Sequence, residues 1–482
     1  MSKEINASRN LTMLTDFYQL TMMDGYLSSG IHEEIATFDL FFRQRGQINY
    51  AVAAGLEQAV EYLKDLHFSP EDIEYLRSLN TFTDKFLDYL KDLRFTGDIY
   101  SVREGEIVFP MEPIMIVRAP LIQAQLVETA LLTIISHQTL IATKASRVAT
   151  AAGEGKVIEF GLRRAQGPDA GVYGSRASII GGASATSNVL AAQMFDIAPK
   201  GTHSHSWVLS FPTELDAFNA FADIYPDSCL LLVDTYDTLR SGVPNAIKVF
   251  DRLKKEGHKP LGIRLDSGDL AYLSKKARKM LDDAGYPEAV IFASNDIDEN
   301  LVNALNAQGA KIDMYGVGTK LITSDGMPSL GGVYKLAEIV RDGKSVPRLK
   351  KSDSIEKITN PGFKTVYRIY DKENGKAFAD LIALRGEEIG KPLTLTHETE
   401  RWKKTTLEDY DKKELLVKVF DGGKLVYDVP ALKESSKYRH DELAKFWDEY
   451  KRLVNPHIYK VDLSDGLYEL KQKMLLGGDK AQ

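Results

Sequence analysis

From Val157 onward the sequence repeats one unit: a short apolar run of strand length, a small-residue or acidic loop, then a helical pattern. Val157-Ile-Glu-Phe-Gly opens the series and the Ile197–His205 region belongs to it. Cys229-Leu-Leu-Leu-Val-Asp234, Leu261-Gly-Ile-Arg-Leu-Asp266, Val290-Ile-Phe-Ala-Ser294 and Ile312-Asp-Met-Tyr-Gly316 continue it, and Gly332-Val-Tyr-Lys-Leu-Ala closes it. The later runs are spaced by roughly two to three dozen residues, the size of a βα unit. In the helix expected after Leu261, Leu270, Leu273, Ala277 and Leu281 share one face, with lysines and Arg278 mostly on the other. Repeated units with buried strands require a parallel sheet. Roughly six to eight of them fit into residues 151–345, which predicts an α/β fold with a barrel of the (β/α)₈ type.

The flanks read differently. Residues 1–120 mix signals: a helix over Leu11–Tyr26, a strand over Ile35–Arg43, a helix over Asp72–Leu93 and a small sheet over Ile99–Arg118. Residues 121–150 are apolar at helical spacing and form a linking helix. In 346–482 the βα regularity is lost. Thr365–Tyr370 and Leu415–Val419 read as antiparallel strands and Tyr438–Leu453 as helix, so this part is expected to pack with the N-terminal part. Both chain ends together then make a second α+β domain.

A chain of 482 residues exceeds one ordinary core, in keeping with that division. Its net charge of −7 argues against bulk nucleic-acid binding, which needs a basic face. The sequence has no apolar run of about eighteen residues to span a membrane, and Met1–Asn6 is polar without a signal-peptide core. The one cysteine, Cys229, lies in an apolar run and reads as an inert core residue, which places the protein in the cytoplasm.

In parallel α/β folds the carboxyl ends of the strands face the ligand, and the polar residues here collect at those ends. Phe160 offers a stacking face, and Arg163 and Arg164 a planar grip on phosphate or carboxylate, the alternative for the arginines being surface salt bridges. Asp234 and Asp266 suit sugar hydroxyls or Mg²⁺ beside phosphate; Asp266 and Ser267 could also be helix N-caps, a role that does not require the neighbouring arginine. Arg264, two residues before Asp266, points to the same side of its strand. Asn295 ends the Val290 run, and Gly316-Val-Gly318-Thr319 supplies a turn whose backbone N–H groups could cradle a phosphate. The stretch Lys200-Gly-Thr-His-Ser-His-Ser-Trp207 adds Thr202, His203 and His205. Imidazole there can be base, nucleophile or metal ligand, or can simply bond nearby backbone. Together these groups suggest transfer of a phosphorylated sugar onto a ring.

Five ordered motifs resemble the nicotinate phosphoribosyltransferase family. They are Thr15-Asp-Phe-Tyr-Gln-Leu-Thr-Met22, Glu159-Phe-Gly-Leu-Arg-Arg-Ala-Gln166, Gly201-Thr-His-Ser-His-Ser206, Arg264-Leu-Asp-Ser-Gly-Asp-Leu270 and Tyr315-Gly-Val-Gly-Thr319. The resemblance implies an irregular barrel of the type II phosphoribosyltransferase kind, acting as a homodimer with shared active sites. It implies formation of nicotinate mononucleotide and diphosphate from nicotinate and 5-phosphoribosyl 1-diphosphate, with Mg²⁺, and with ATP hydrolysed through a phosphohistidine at His205. His203 falls on a variable position. Tyr18 and Thr202 fall on positions that contact nicotinate; Arg264, Thr319 and Gly318 belong to the same site. Phe160 is expected to stack on the pyridine, Arg163 to hold a phosphate, and Asp234 and Asp266 to face ribose or metal. The segment Gly181–Asn188 has no acidic residue, where the related nicotinamide enzyme has an aspartate; this favours nicotinate over nicotinamide. The C-terminal part departs from the longer family members that carry a cysteine cluster, so no zinc is expected. The alternatives are a nicotinamide phosphoribosyltransferase and a sugar-phosphate-binding barrel without catalysis.

Overall fold

The computed structural model describes residues 10–43, 49–354, 357–397 and 400–477; the stretch Met1–Asn6 lies outside them. The chain divides into two compact units, one spanning 144–328 and the other drawn from the chain up to 143 and from 329 on. The boundary falls inside the helix Glu128–Ala152.

The 144–328 unit is built on a six-stranded sheet, parallel throughout. Its spatial order is Ala185–Thr186, Val157–Glu159, Met314–Val317, Val290–Ser294, Gly262–Leu265 and Leu230–Leu232. The strands are nearly continuous apolar runs because helices cover them, as a parallel sheet requires. Leu270–Asp283 forms the expected amphipathic helix, burying Leu270, Ala277 and Leu281. Leu273, expected on that buried face, is instead half-buried.

Two expectations for the series need correction. Ile197–His205 is not a strand: it makes a single parallel bridge, Pro199 to Thr186, and ends in the short helix His205–Leu209. The strand in this region is the two-residue Ala185–Thr186. Gly332–Arg341 does not close the series either. It pairs antiparallel with Ile35–Phe42 in the other unit, from Phe42↔Gly332 to Ile35↔Val340.

That other unit carries a seven-stranded antiparallel sheet that includes Ile35–Phe42, Met115–Pro120, Asp98–Ser101, Gly332–Arg341 and Val417–Asp421. A four-stranded sheet adds Lys364–Tyr370 and Ala377–Leu384. The expected helix over Asp72–Leu93 is two helices, Pro70–Ser78 and Asp84–Asp92, each with its own side-chain N-cap, Ser69 and Thr83. At the centre of this unit the fully buried Arg368 is bound by Glu106 at 2.5 Å and Asp380 at 2.7 Å. No charge is left unpaired on that guanidinium, which makes its burial tolerable.

Candidate active site

Every strand of the parallel sheet ends on the same side, so residues at those ends converge. The register pairs Phe292 with Arg264 across neighbouring strands, and side chains two apart share a face. Arg264 and Asp266 therefore lie together, as the sequence predicts: Nη2 donates to Asp266 Oδ1 at 3.2 Å. The same guanidinium donates through Nη1 to Thr202 Oγ1 at 3.0 Å and through Nε to Ser294 Oγ at 2.9 Å. Three of its five N–H groups are engaged this way.

His205 stands beside this cluster. Its Nε2 lies 3.6 Å from Asp266 Oδ2 and 4.0 Å from Asp234 Oδ1, and its Nδ1 is 3.1 Å from Thr235 Oγ1. The imidazole is 40% exposed, so it is accessible to a ligand. Ser204 and Ser206 bond one another at 2.6 Å. Asp234 is oriented by its second oxygen, which accepts from Asp266 N and Ser267 Oγ, both at 2.7 Å. Its Oδ1 is buried with no hydrogen-bond partner among the described residues. Such an orphan oxygen beside an imidazole is suited to a sugar hydroxyl or a cation. The helix caps belong elsewhere: Asp269 caps Leu270–Asp283, and Asp237 caps the turn that follows it, leaving Asp266 for the site.

Phe160 packs against Phe292 with ring centroids 5.6 Å apart, and Arg264 lies over its ring at 5.5 Å. Glycine at 316 permits this, since a Cβ there would come within 2.7 Å of the Phe160 ring and 2.8 Å of Phe292. Glu159 braces the loop from below. Its carboxylate accepts from Thr186 Oγ1 at 2.6 Å, Ser175 Oγ at 2.9 Å and the Gly161 N–H, while burial pushes its pKa up. Arg163 is exposed, with no ion pair among the described residues.

Asn295 and Asp296, which follow Ser294, both have positive φ, 104° and 36°. Backbone of this kind in non-glycine residues gathers at functional sites. Gly318 precedes the four-residue helix Thr319–Ile322, and Thr319 is exposed. Lys320 does not reach toward a ligand: its amine is held by Asp325 at 3.1 Å and Asp298 at 3.5 Å. Tyr18 belongs to the other unit, where it is 48% exposed on the helix Phe17–Ser28. Cys229 is a free buried thiol whose pKa burial pushes up to about 12, consistent with an inert core residue.

Two contributors carry no motif of their own. Ser294 and Thr235 act through single hydroxyls. His203 is buried at 7% exposure, and its Nε2 accepts from Leu232 N–H at 3.2 Å. Its ring meets Phe221 edge-on at 4.8 Å. Because Nε2 accepts, the ring proton sits on Nδ1, 3.4 Å from Ser204 O. Burial lowers its pKa to about 4. The unfolded chain binds this proton below about pH 6.5 and the folded chain only near pH 4, so stability should fall as pH drops through that window and be level above it. Wild type should lose roughly 3 kcal/mol more than His203→Gln across it. Urea melts of both proteins at several pH values provide the check; parallel pH slopes would remove His203 from this role.

The fold and the site define a class: a parallel α/β protein whose strand ends hold an arginine, two carboxylates and an accessible imidazole over an aromatic floor. Comparison with known proteins narrows it. The nicotinate phosphoribosyltransferase N-terminal domain matches residues 13–136 and the C-terminal domain of the same family residues 363–471. The chain is 48% identical to nicotinate phosphoribosyltransferase of Bacillus subtilis (strain 168), covering 97% of this chain and 95% of that protein. It is 32% identical to the Homo sapiens protein of that name, over 96% of this chain and 97% of the other. The crystal structure of human nicotinic acid phosphoribosyltransferase superposes with a TM-score of 0.85 at 30% identity, covering 95% of this chain and 99% of that one. The chain belongs to the nicotinate phosphoribosyltransferase family. Among the described residues no helix is long and apolar enough to cross a membrane, and no group of three or more His, Cys, Asp or Glu is placed to hold a metal.

Proposed function

We propose that the protein transfers the phosphoribosyl group of 5-phosphoribosyl 1-diphosphate to nicotinate, with ATP hydrolysed through a phosphohistidine at His205. In the transfer, the bond from the sugar's anomeric carbon to diphosphate breaks and its electron pair leaves with diphosphate. The lone pair of the pyridine nitrogen forms the new bond. The observation that carries this reading is the position of His205 Nε2, 3.6 Å from Asp266 and 4.0 Å from Asp234, beside Arg264. The neutral imidazole, bonded at Nδ1 to Thr235 Oγ1, supplies a ring-nitrogen lone pair as nucleophile toward a phosphoryl group. Phosphorylation forms an N–P bond as the bond to ADP breaks, and water later returns free imidazole and phosphate. Nicotinate stacks on Phe160, with Thr202 and the two remaining N–H groups of Arg264 available to its carboxylate. Asp234 and Asp266 receive ribose hydroxyls, and Arg163, Asn295, Gly318 and Thr319 surround the phosphates. Asp234 Oδ1 is the oxygen suited to Mg²⁺, which supplies charge neutralisation for phosphate oxygens.

The finer architecture is proposed on the same footing. The 144–328 unit closes as an irregular barrel through residues 198–203, which bond Thr186 by backbone on one flank and Leu232 through His203 on the other. The protein acts in the cytoplasm, in keeping with its single buried thiol. It works as a homodimer in which Tyr18 of one copy completes the pyridine pocket of the other. The 48% exposure of Tyr18 leaves its ring available for that role.

With 5-phosphoribosyl 1-diphosphate and Mg-ATP, purified protein should form nicotinate mononucleotide faster than nicotinamide mononucleotide, and release ADP with it. Preference for nicotinamide would select the amide-using alternative, and ligand binding without diphosphate release the non-catalytic one. Mixing Tyr18→Ala with His205→Ala protein should restore ATP-dependent turnover through hybrid dimers. If subunits exchange and that turnover stays absent, each chain builds its own site.

A further inference from the structure

We propose that Ser294 is a positioning residue that sets the orientation of Asp266 and Arg264 for catalysis. Ser294 is the last residue of the strand Val290–Ser294 and is only 4% exposed. The register that pairs Phe292 with Arg264 brings Ser294, two residues on, beside Asp266 and on the same face. Its hydroxyl contacts Arg264 Nε at 2.9 Å and Asp266 Oδ1. The direction of both hydrogen bonds is forced. A guanidinium N–H can only donate, so the serine oxygen accepts from Arg264 and its single proton goes to the carboxylate.

Two consequences follow. Asp266 Oδ1 receives donors from both Ser294 and Arg264, which leaves Oδ2 as the oxygen facing His205 at 3.6 Å. The serine proton is fully engaged, so Ser294 acts through its neighbours and not on substrate. Without the hydroxyl, Arg264 Nε–H has no acceptor and Asp266 loses the contact that fixes its rotation. Asn295 and Asp296 turn the chain away immediately afterwards with positive φ, so position 294 is the last on this strand able to make the bridge.

The test compares Ser294→Thr with Ser294→Val, which have the same shape and differ only in the hydroxyl. It rests on the phosphoribosyl-transfer reading and reads kcat/KM for nicotinate together with affinity for nicotinate mononucleotide. The threonine variant should exceed the valine variant by about tenfold or more, the size of one charge-assisted hydrogen bond. In an Asp266→Ala background, where the hydroxyl keeps only Arg264 as a partner, the same pair should differ by clearly less in nucleotide affinity than in the Asp266 protein. Equal Thr and Val proteins, or the full difference persisting in Asp266→Ala, would overturn the proposal. A ligand-free readout separates it from the functional reading. The Arg264 Nε–H resonance, identified by its loss in Arg264→Lys, should be retained in Ser294→Thr and displaced in Ser294→Val. If wild type binds no nicotinate mononucleotide, the functional reading fails and this resonance alone decides on Ser294.

Discussion

Replacing Arg264 with alanine should lower kcat/KM for nicotinate roughly ten- to hundredfold or more. The guanidinium ties three strand-end groups together, Thr202, Asp266 and Ser294, and lies over the Phe160 ring. A charge-assisted contact from this guanidinium to the acceptor or its phosphoribosyl partner, lost on truncation, is worth about 1.5–3 kcal/mol in the transition state. Each 1.36 kcal/mol is roughly a factor of ten in rate. Arg264→Lys should not restore activity, since an ammonium on a flexible stem cannot bridge the three partners in one plane. Steady-state kinetics with varied nicotinate give the answer. A kcat/KM within about threefold of wild type would take Arg264 out of the site.

His205→Ala should abolish the dependence of turnover on ATP together with the label that γ-labelled ATP leaves on the protein. Forming the nucleotide from a sugar diphosphate needs no ATP in principle. An accessible imidazole between two carboxylates therefore calls for its own explanation. Phosphorylated and free enzyme can differ in affinity for substrates and product, and the gain is limited to that difference. Wild type incubated with labelled Mg-ATP should carry acid-labile, base-stable phosphate. The geometry separates the two histidines: His203 is buried with Nε2 committed to Leu232, while the His205 imidazole is 40% exposed. The label should thus survive His203→Ala and vanish in His205→Ala. Label retained in His205→Ala would overturn the assignment.

Much of the site is legible in the sequence because strand ends in a parallel sheet are marked by the change from apolar to polar residues. Asp234, Arg264–Asp266 and the glycines at 316 and 318 stand at such changes. The pairing of Arg264 with Asp266 follows from the period of two along a strand. Ser294 and Thr235 were not legible, since a lone hydroxyl at a strand end looks like any loop residue until the neighbouring strand is placed. The Ala185–Thr186 strand is too short for any periodicity. The pairing of Gly332–Arg341 is not legible because its partner, Ile35–Phe42, lies some three hundred residues earlier, and local pattern carries no information about so distant a neighbour. The capping alternative for Asp266 was resolved by Asp269, three residues on, which caps the helix itself.

The segment that bears Thr202 and His205 is held on one flank by backbone bonds to Thr186 and on the other through side chains, Thr202 at Arg264, His203 at Leu232 and His205 at Thr235. A strand in that place would fix every residue in register with two neighbours. Side-chain pegs fix single residues and leave the backbone between them outside the ladder of the sheet. Grafting a different 198–206 segment into this scaffold would disturb no strand pairing beyond the Pro199–Thr186 bridge, and new chemistry could arise there without a new fold.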